Sequence, residues 1–225
     1  MNKFSKYLFL FLLPIVVLLV VLLIRNQDTV SNREKSVSEP ESNIDNWAVN
    51  LVGFDTQKEN EPIKIAILDS GINKKHNEFK GLTFKEYNAI EPGKEIVDDF
   101  GHGTAIAGII AARGIKTTGV IHNVILYDVK VLNEKGGGKI NDVIEGIEWC
   151  IKKNVDIINI SFGFSSEKEG LKEAIDKAIN HNIIITAASG NTLGLTVDYP
   201  AKYHNVLSIS SFDEKYAIRS LFGYR

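Results

Sequence analysis

Three short segments of the chain bring together residue types that can do chemistry. In Ile65-Ala66-Ile67-Leu68-Asp69-Ser70-Gly71 a carboxylate stands where a β-branched run gives way to a turn. In Gly101-His102-Gly103-Thr104 an imidazole stands between two glycines, at the start of a helix-like stretch. In Ile183-Ile184-Ile185-Thr186-Ala187-Ala188-Ser189-Gly190-Asn191 a primary amide follows a strand and a glycine. Beyond the carboxyl ends of parallel strands is where open α/β sheets bind ligands. Taken singly, each has an ordinary structural role: a turn aspartate, a capping histidine, a turn-forming asparagine. Glycine on both sides of His102 departs from that, because it implies a backbone that something approaches closely.

The elements that would position these residues can be read from apolar patterning. Ile63–Leu68, Asn123–Leu132, Val155–Ile160, Ile183–Ala187 and Val206–Ser210 read as buried strands. His102–Arg113 reads as a helix whose small residues Ala105, Ala107 and Gly108 allow close packing. Val143, Ile147, Cys150 and Ile151 form one helical stripe. Leu171, Ala174, Ile175, Ala178 and Ile179 form another, preceded by Ser166 and Glu169 at capping-box spacing. Strands alternating with helices predict an α/β fold, a parallel sheet with helices on both faces.

Together the three segments resemble the subtilisin-like serine peptidases (subtilases). That family's patterns D-[ST]-G, H-G-T-x-x-A-G and A-[AS]-G-N all occur here in the family's order. Gly146–Gly163 and Asp198–Asp213 are also similar to the family's helix–strand core and late strand. The resemblance runs from about Trp47 to Arg225. It implies the three-layer subtilisin-like fold, incomplete at its carboxyl end.

The same resemblance implies roles. Asp69 would orient His102 and stabilise its imidazolium, and His102 would be general base and then general acid. Asn191 would donate its side-chain amide to the oxyanion. Gly136, Gly137 and Gly138 would form one edge of a cleft for an extended peptide or protein substrate. Ser161, Phe162 and Gly163 would form the other edge. Ala187, Ala188, Ser189 and Gly190 would line the primary specificity pocket.

One family motif does not occur. The nucleophile lies in G-T-S-[MA]-[AS]-x-P, and no Gly-Thr-Ser is present within the 225 residues. Ser208, Ser210, Ser211 and Ser220 are read as strand and loop serines. The chain is therefore expected to be a subtilase cut short before its nucleophile and inactive by itself. Two other readings stay open: a non-catalytic peptide-binding pseudoprotease, or half of a split peptidase completed by a chain supplying the serine segment.

No cofactor is implied. Glu78 stands where many relatives have a calcium-binding aspartate, but the loop after Ala112 is short, and no metal site is expected. His76, His122, His181 and His204 lack ligand-like spacing. A single cysteine excludes an intrachain disulfide, and a net charge of −2 without a clustered basic excess gives no nucleic-acid footprint. Residues 1–24 predict a signal anchor, because Tyr7–Ile24 is uncharged and, as a helix, about 27 Å long. Leu22–Asn26 offers no small-x-small cleavage site. A single-pass membrane protein with an extracytoplasmic domain is expected, with secretion as the alternative. Residues 25–45 read as a polar linker and residues 46–225 as the partial peptidase domain.

Overall fold

The β-branched runs form strands that are covered on both sides, and this explains their nearly unbroken apolar character. The computed structural model describes residues 61–114, 117–191 and 196–211. The anchor at 1–24, the linker at 25–45 and the stretch beginning at Trp47 lie outside these residues. Among the described residues no helix is long and apolar enough to cross a membrane.

The strands are β1 (Ile63–Asp69), β2 (Thr83–Asn88), β3 (Val124–Lys130), β4 (Ile157–Ile160), β5 (Ile184–Ala188) and β6 (Leu207–Ile209). The helices are α1 (His102–Ala111), α2 (Ile140–Lys152) and α3 (Leu171–Asn180). The strands form one parallel sheet in the order β2-β3-β1-β4-β5-β6. Strand β1 lies inside the sheet, with Asp69 in register with Lys130 of β3.

Two apolar layers flank the sheet. Val143, Ile147, Cys150 and Ile151 of α2, and Leu171, Ala174, Ile175 and Ala178 of α3, pack on Ala66, Leu68, Val129, Ile158 and Ile185. On the other face Ala107 and Ala111 of α1 meet Ile65, Ile67, Val124 and Leu126. The three-layer arrangement expected from the alternation is present. Ile184, Leu207 and Ile209 on β5 and β6 remain more than half exposed.

Two local details differ from the sequence reading. Strand β2 carries Lys85 and Glu86 and lacks a clear apolar alternation, because it borders only β3 among the described strands. The Ser166–Glu169 spacing does not build a capping box. Helix α3 instead follows Gly170, whose φ of 76° turns the chain into Leu171 with no side-chain cap. The turns entering β4, β5 and β6 each contain a left-handed asparagine: Asn154, Asn182 and Asn205. Short polar side chains tolerate that conformation better than other non-glycine residues.

Candidate active site

Strand β1 ends at Asp69, and α1 begins at His102, beyond the same edge of the sheet. Asp69 is 1% exposed, and its Oδ1 accepts a hydrogen bond from Ser70 N at 2.7 Å. His102 Nδ1 lies 2.9 Å from both Asp69 oxygens. An ionised carboxylate only accepts, so the hydrogen between them belongs to Nδ1. In the neutral ring this leaves Nε2 with a free lone pair. The His102 side chain is 38% exposed, so the ring is accessible to a reacting group.

Helix α1 is pinned to β1 by a residue that the motif comparison did not single out. Asp98 Oδ1 accepts from Ser70 Oγ at 2.7 Å and from Gly101 N at 2.8 Å. Its Oδ2 accepts from Thr104 N at 3.0 Å and from Thr104 Oγ1. Ser70 Oγ in turn accepts from Gly103 N, and Thr104 Oγ1 accepts from Asn73 N. Burial alone would raise the Asp98 pKa, but the donors from Thr104, Ser70 and Gly101 outweigh it and hold it below the ordinary value. The sequence signal was an aspartate a few residues ahead of a helix start that lacks its own capping side chain.

Beneath the turn that leaves Asp69 lies a second carboxylate. Asp128 on β3 is fully buried, and its Oδ2 accepts from Ile72 N at 3.2 Å and from Lys74 Nζ at 2.9 Å. Lys74 also pairs with Glu86 at 2.7 Å. Asp128 Oδ1 has no hydrogen-bond partner among the described residues. Burial pushes the Asp128 carboxyl up to about 6, against the opposing pull of Lys74. Lys130 Nζ ties the same turn down, donating to Ser70 O and Val97 O.

The other expected site residues occupy three segments. Gly136, Gly137 and Gly138 form a tight turn closed by Asn133, whose Oδ1 accepts from Lys135 N and Gly137 N. The Phe100 ring covers Gly136, where a Cβ would meet it at 2.7 Å, and lies 6.1 Å from the His102 ring. Ser161 Oγ accepts from Asn159 Nδ2 at 2.8 Å, and Phe162 packs edge-on against Phe164. Gly163 lies against Asp198. Ala187 is buried in the packed layer, Ala188 is partly exposed, and Ser189 N donates to Ile209 O. Asn191 is exposed just beyond β5, on the edge of the sheet that also bears Asp69. Asp198, against which both Gly163 and Gly190 pack, was not singled out from sequence. The Glu78 carboxylate accepts from Thr117 N, and no metal-holding group of three His, Cys, Asp or Glu side chains occurs among the described residues.

Comparison with known protein families matches residues 60–222 to the subtilase family. The chain belongs to the subtilase family. This subtilase is 35% identical over 196 residues to minor extracellular protease Epr of Bacillus subtilis, which covers 86% of the chain and 29% of that protein. It is 38% identical over 164 residues to subtilisin DY of Bacillus licheniformis, covering 67% of the chain and 57% of the relative. Subtilisin E of Bacillus subtilis matches at 38% over 160 residues, covering 66% and 40% respectively. The subtilase chain thus spans between 29% and 57% of the length of these relatives.

Proposed function

We propose that this subtilase carries the aspartate–histidine half of a serine endopeptidase acting on extended peptide or protein substrates. The observation that carries the reading is His102 Nδ1 at 2.9 Å from both oxygens of a buried Asp69. With Nδ1 donating to Asp69, Nε2 takes the proton of a serine hydroxyl as its oxygen bonds to the scissile carbonyl carbon. The carbonyl oxygen then bears the negative charge, to which the Asn191 amide would donate. Collapse of that intermediate breaks the carbon–nitrogen bond, and His102 returns the proton to the leaving amine. Water resolves the acyl-enzyme by the same route in reverse.

Residues 1–225 contain no Gly-Thr-Ser segment, so by themselves they supply the base but no activated nucleophile. We read catalysis as requiring a serine-bearing segment in addition to these residues, fused or as a partner chain. We also read Tyr7–Ile24 as a membrane anchor, on its lack of charge and its length. That topology predicts retention in the membrane fraction after carbonate washing. A soluble product beginning just after Ile24 contradicts it.

The test of the activity is labelling with a fluorophosphonate serine probe together with peptide hydrolysis. The 225-residue chain should do neither. The chain fused to a subtilase Gly-Thr-Ser segment should do both, and His102→Ala should abolish both. A fused, folded chain that neither labels nor hydrolyses defeats the peptidase reading. Labelling of the unfused chain that is lost in His102→Ala defeats the need for an added serine.

A further inference from the structure

We propose that Asp128 is a positioning residue for the Asp69–His102 pair, acting through the turn that carries the chain from β1 to Lys74. Its effect on catalysis rests on the peptidase reading above; the positioning itself does not.

The Asp69 carboxylate is aimed by the turn that follows it. Ser70 N donates to Asp69 Oδ1, so a shift of Ser70 moves the oxygens that face His102. Lys130 Nζ and Asp98 hold the near end of this turn, through Ser70 O and Ser70 Oγ. Asp128 holds the far end. Its Oδ2 accepts from Ile72 N at 3.2 Å and from Lys74 Nζ at 2.9 Å. It does so from beneath: Asp69 pairs in register with Lys130, and Ile67 with Asp128. Asp128 therefore lies one side-chain repeat, about 7 Å, below Asp69 on the same face of the sheet.

An apolar side chain is the ordinary occupant of such a place. Asp128 lies between Tyr127 and Val129 and is fully buried. A buried ion pair adds little net stability over apolar side chains of similar volume. What this pair supplies is a location. One oxygen collects a backbone N–H and an ammonium, which fixes where Ile72 and Lys74 stand. Lys74 also pairs at 2.7 Å with Glu86, which is in register with Asp128, so the turn is tied across β2 and β3.

Protonation slackens this tie. The charged groups acting on Asp128 are Lys74 of the turn and Glu86 of β2, and its β1 neighbour is Ile67. The other ionisable groups of that face are engaged elsewhere. Lys130 and Asp69 bond to Ser70, and His102 of α1 bonds to Asp69. Ahead of α1, His76 leans on Phe79, and Glu78 accepts from Thr117 N. Burial pushes the Asp128 carboxyl up to about 6. Above that pH the carboxylate is charged and the tie is closed. Below it the neutral acid no longer pairs with Lys74, and the bond from Ile72 N weakens.

The test follows the His102 Nδ1 proton by NMR in the full chain, with isotopically labelled ring nitrogens. Its rate of exchange with solvent reports how firmly the ring is held against Asp69. At about pH 7.5, Asp128→Asn and Lys74→Met should each exchange this proton about tenfold or more faster than the parent, while Lys74→Arg should stay within about threefold. At about pH 5 the parent's own Asp128 is protonated, so Asp128→Asn and parent should agree within about twofold. The Cys150 amide of α2, on the other side of the sheet, should exchange no faster in any variant, which separates positioning from general loosening. If Asp128→Asn does not fold, the two Lys74 variants carry the comparison, since that side chain is partly exposed. A parental Nδ1 rate in folded Asp128→Asn at the higher pH, the same ratio at both pH values, or equal acceleration at Cys150 overturns the assignment and leaves the peptidase reading standing. In the serine-completed protein, Asp128→Asn should lower kcat and leave KM in place, and a parental kcat also overturns the assignment. A completed parent that is inert defeats the peptidase reading and leaves the exchange result untouched.

Discussion

The α-carbon of Gly103 faces the carbonyl oxygen of Gly71 at a distance that leaves no room for a side chain. A methyl group on Gly103 would come within 2.2 Å of that oxygen and 3.1 Å of Asp69 Cβ. The obstacle is backbone, so relief requires α1 to move away from the end of β1. Gly103→Ala should cost about 1–3 kcal/mol of stability and separate His102 from Asp69. Urea unfolding midpoints check the first, and the second would show as lost activity in the serine-completed protein. A midpoint equal to that of the parent would mean that the two elements are not so tightly apposed.

Burial raises the Asp128 carboxyl from 3.8 to about 6, so the folded protein holds this proton more tightly than the unfolded chain does. Between about pH 4 and pH 6 the folded state therefore binds more protons, and this group's contribution to stability falls as pH rises. Above that window its contribution levels off, leaving a loss on the order of 3 kcal/mol relative to low pH. Asp128→Asn should remove this descending limb from the profile of unfolding free energy against pH. Superimposable profiles for parent and variant would disprove the assignment.

Cys150 is fully buried on the α2 stripe, and burial pushes its thiol well above the ordinary range. Thiolate is the reactive form, so the native protein should resist iodoacetamide. Labelling should accelerate at the denaturant concentration where the far-ultraviolet signal is lost, reporting opening of the α2–sheet layer. Rapid labelling under native conditions would contradict the packing.

In the serine-completed protein, Asp69→Asn should lower kcat on the order of 10⁴-fold, since an amide in place of the carboxylate no longer enforces the reactive tautomer. Asp98→Ala acts differently, because Asp98 holds the start of α1 and touches no reacting atom. Loss of its four donors should cost about 1–2 kcal/mol of stability, read from thermal unfolding. An Asp98→Ala protein with parental stability would show that Gly101 alone starts the helix.

What could be read from sequence follows from where each signal is stored. Strands β1, β3 and β4 were legible because burial on both faces demands uninterrupted apolar residues. Helices α2 and α3 were legible because each covers one side of the sheet and carries one stripe. Strand β2 was not, since a polar strand with Lys85 and Glu86 resembles a loop. The Asp69–His102 contact was inferred through motif resemblance; spacing along the chain says nothing about two residues joined by β2 and a long loop. Asp98 and Asp198 were missed for a related reason. Each acts through contacts with backbone brought in from other segments, and no local pattern encodes such contacts.

The shared direction of the six strands divides the molecule into two territories. Asp69 meets His102, and Asn191 follows β5, at the edge where strands end, while Asn154, Asn182 and Asn205 occupy the turns where strands begin. A change at the entering turns alters how readily the chain folds and how long it lasts. A change at the exiting edge touches the proposed chemistry and, as at Gly103 and Asp98, stability as well. Heritable variation at the entering turns can therefore adjust durability with the exiting edge left as it is, whereas any revision of that edge also draws on durability.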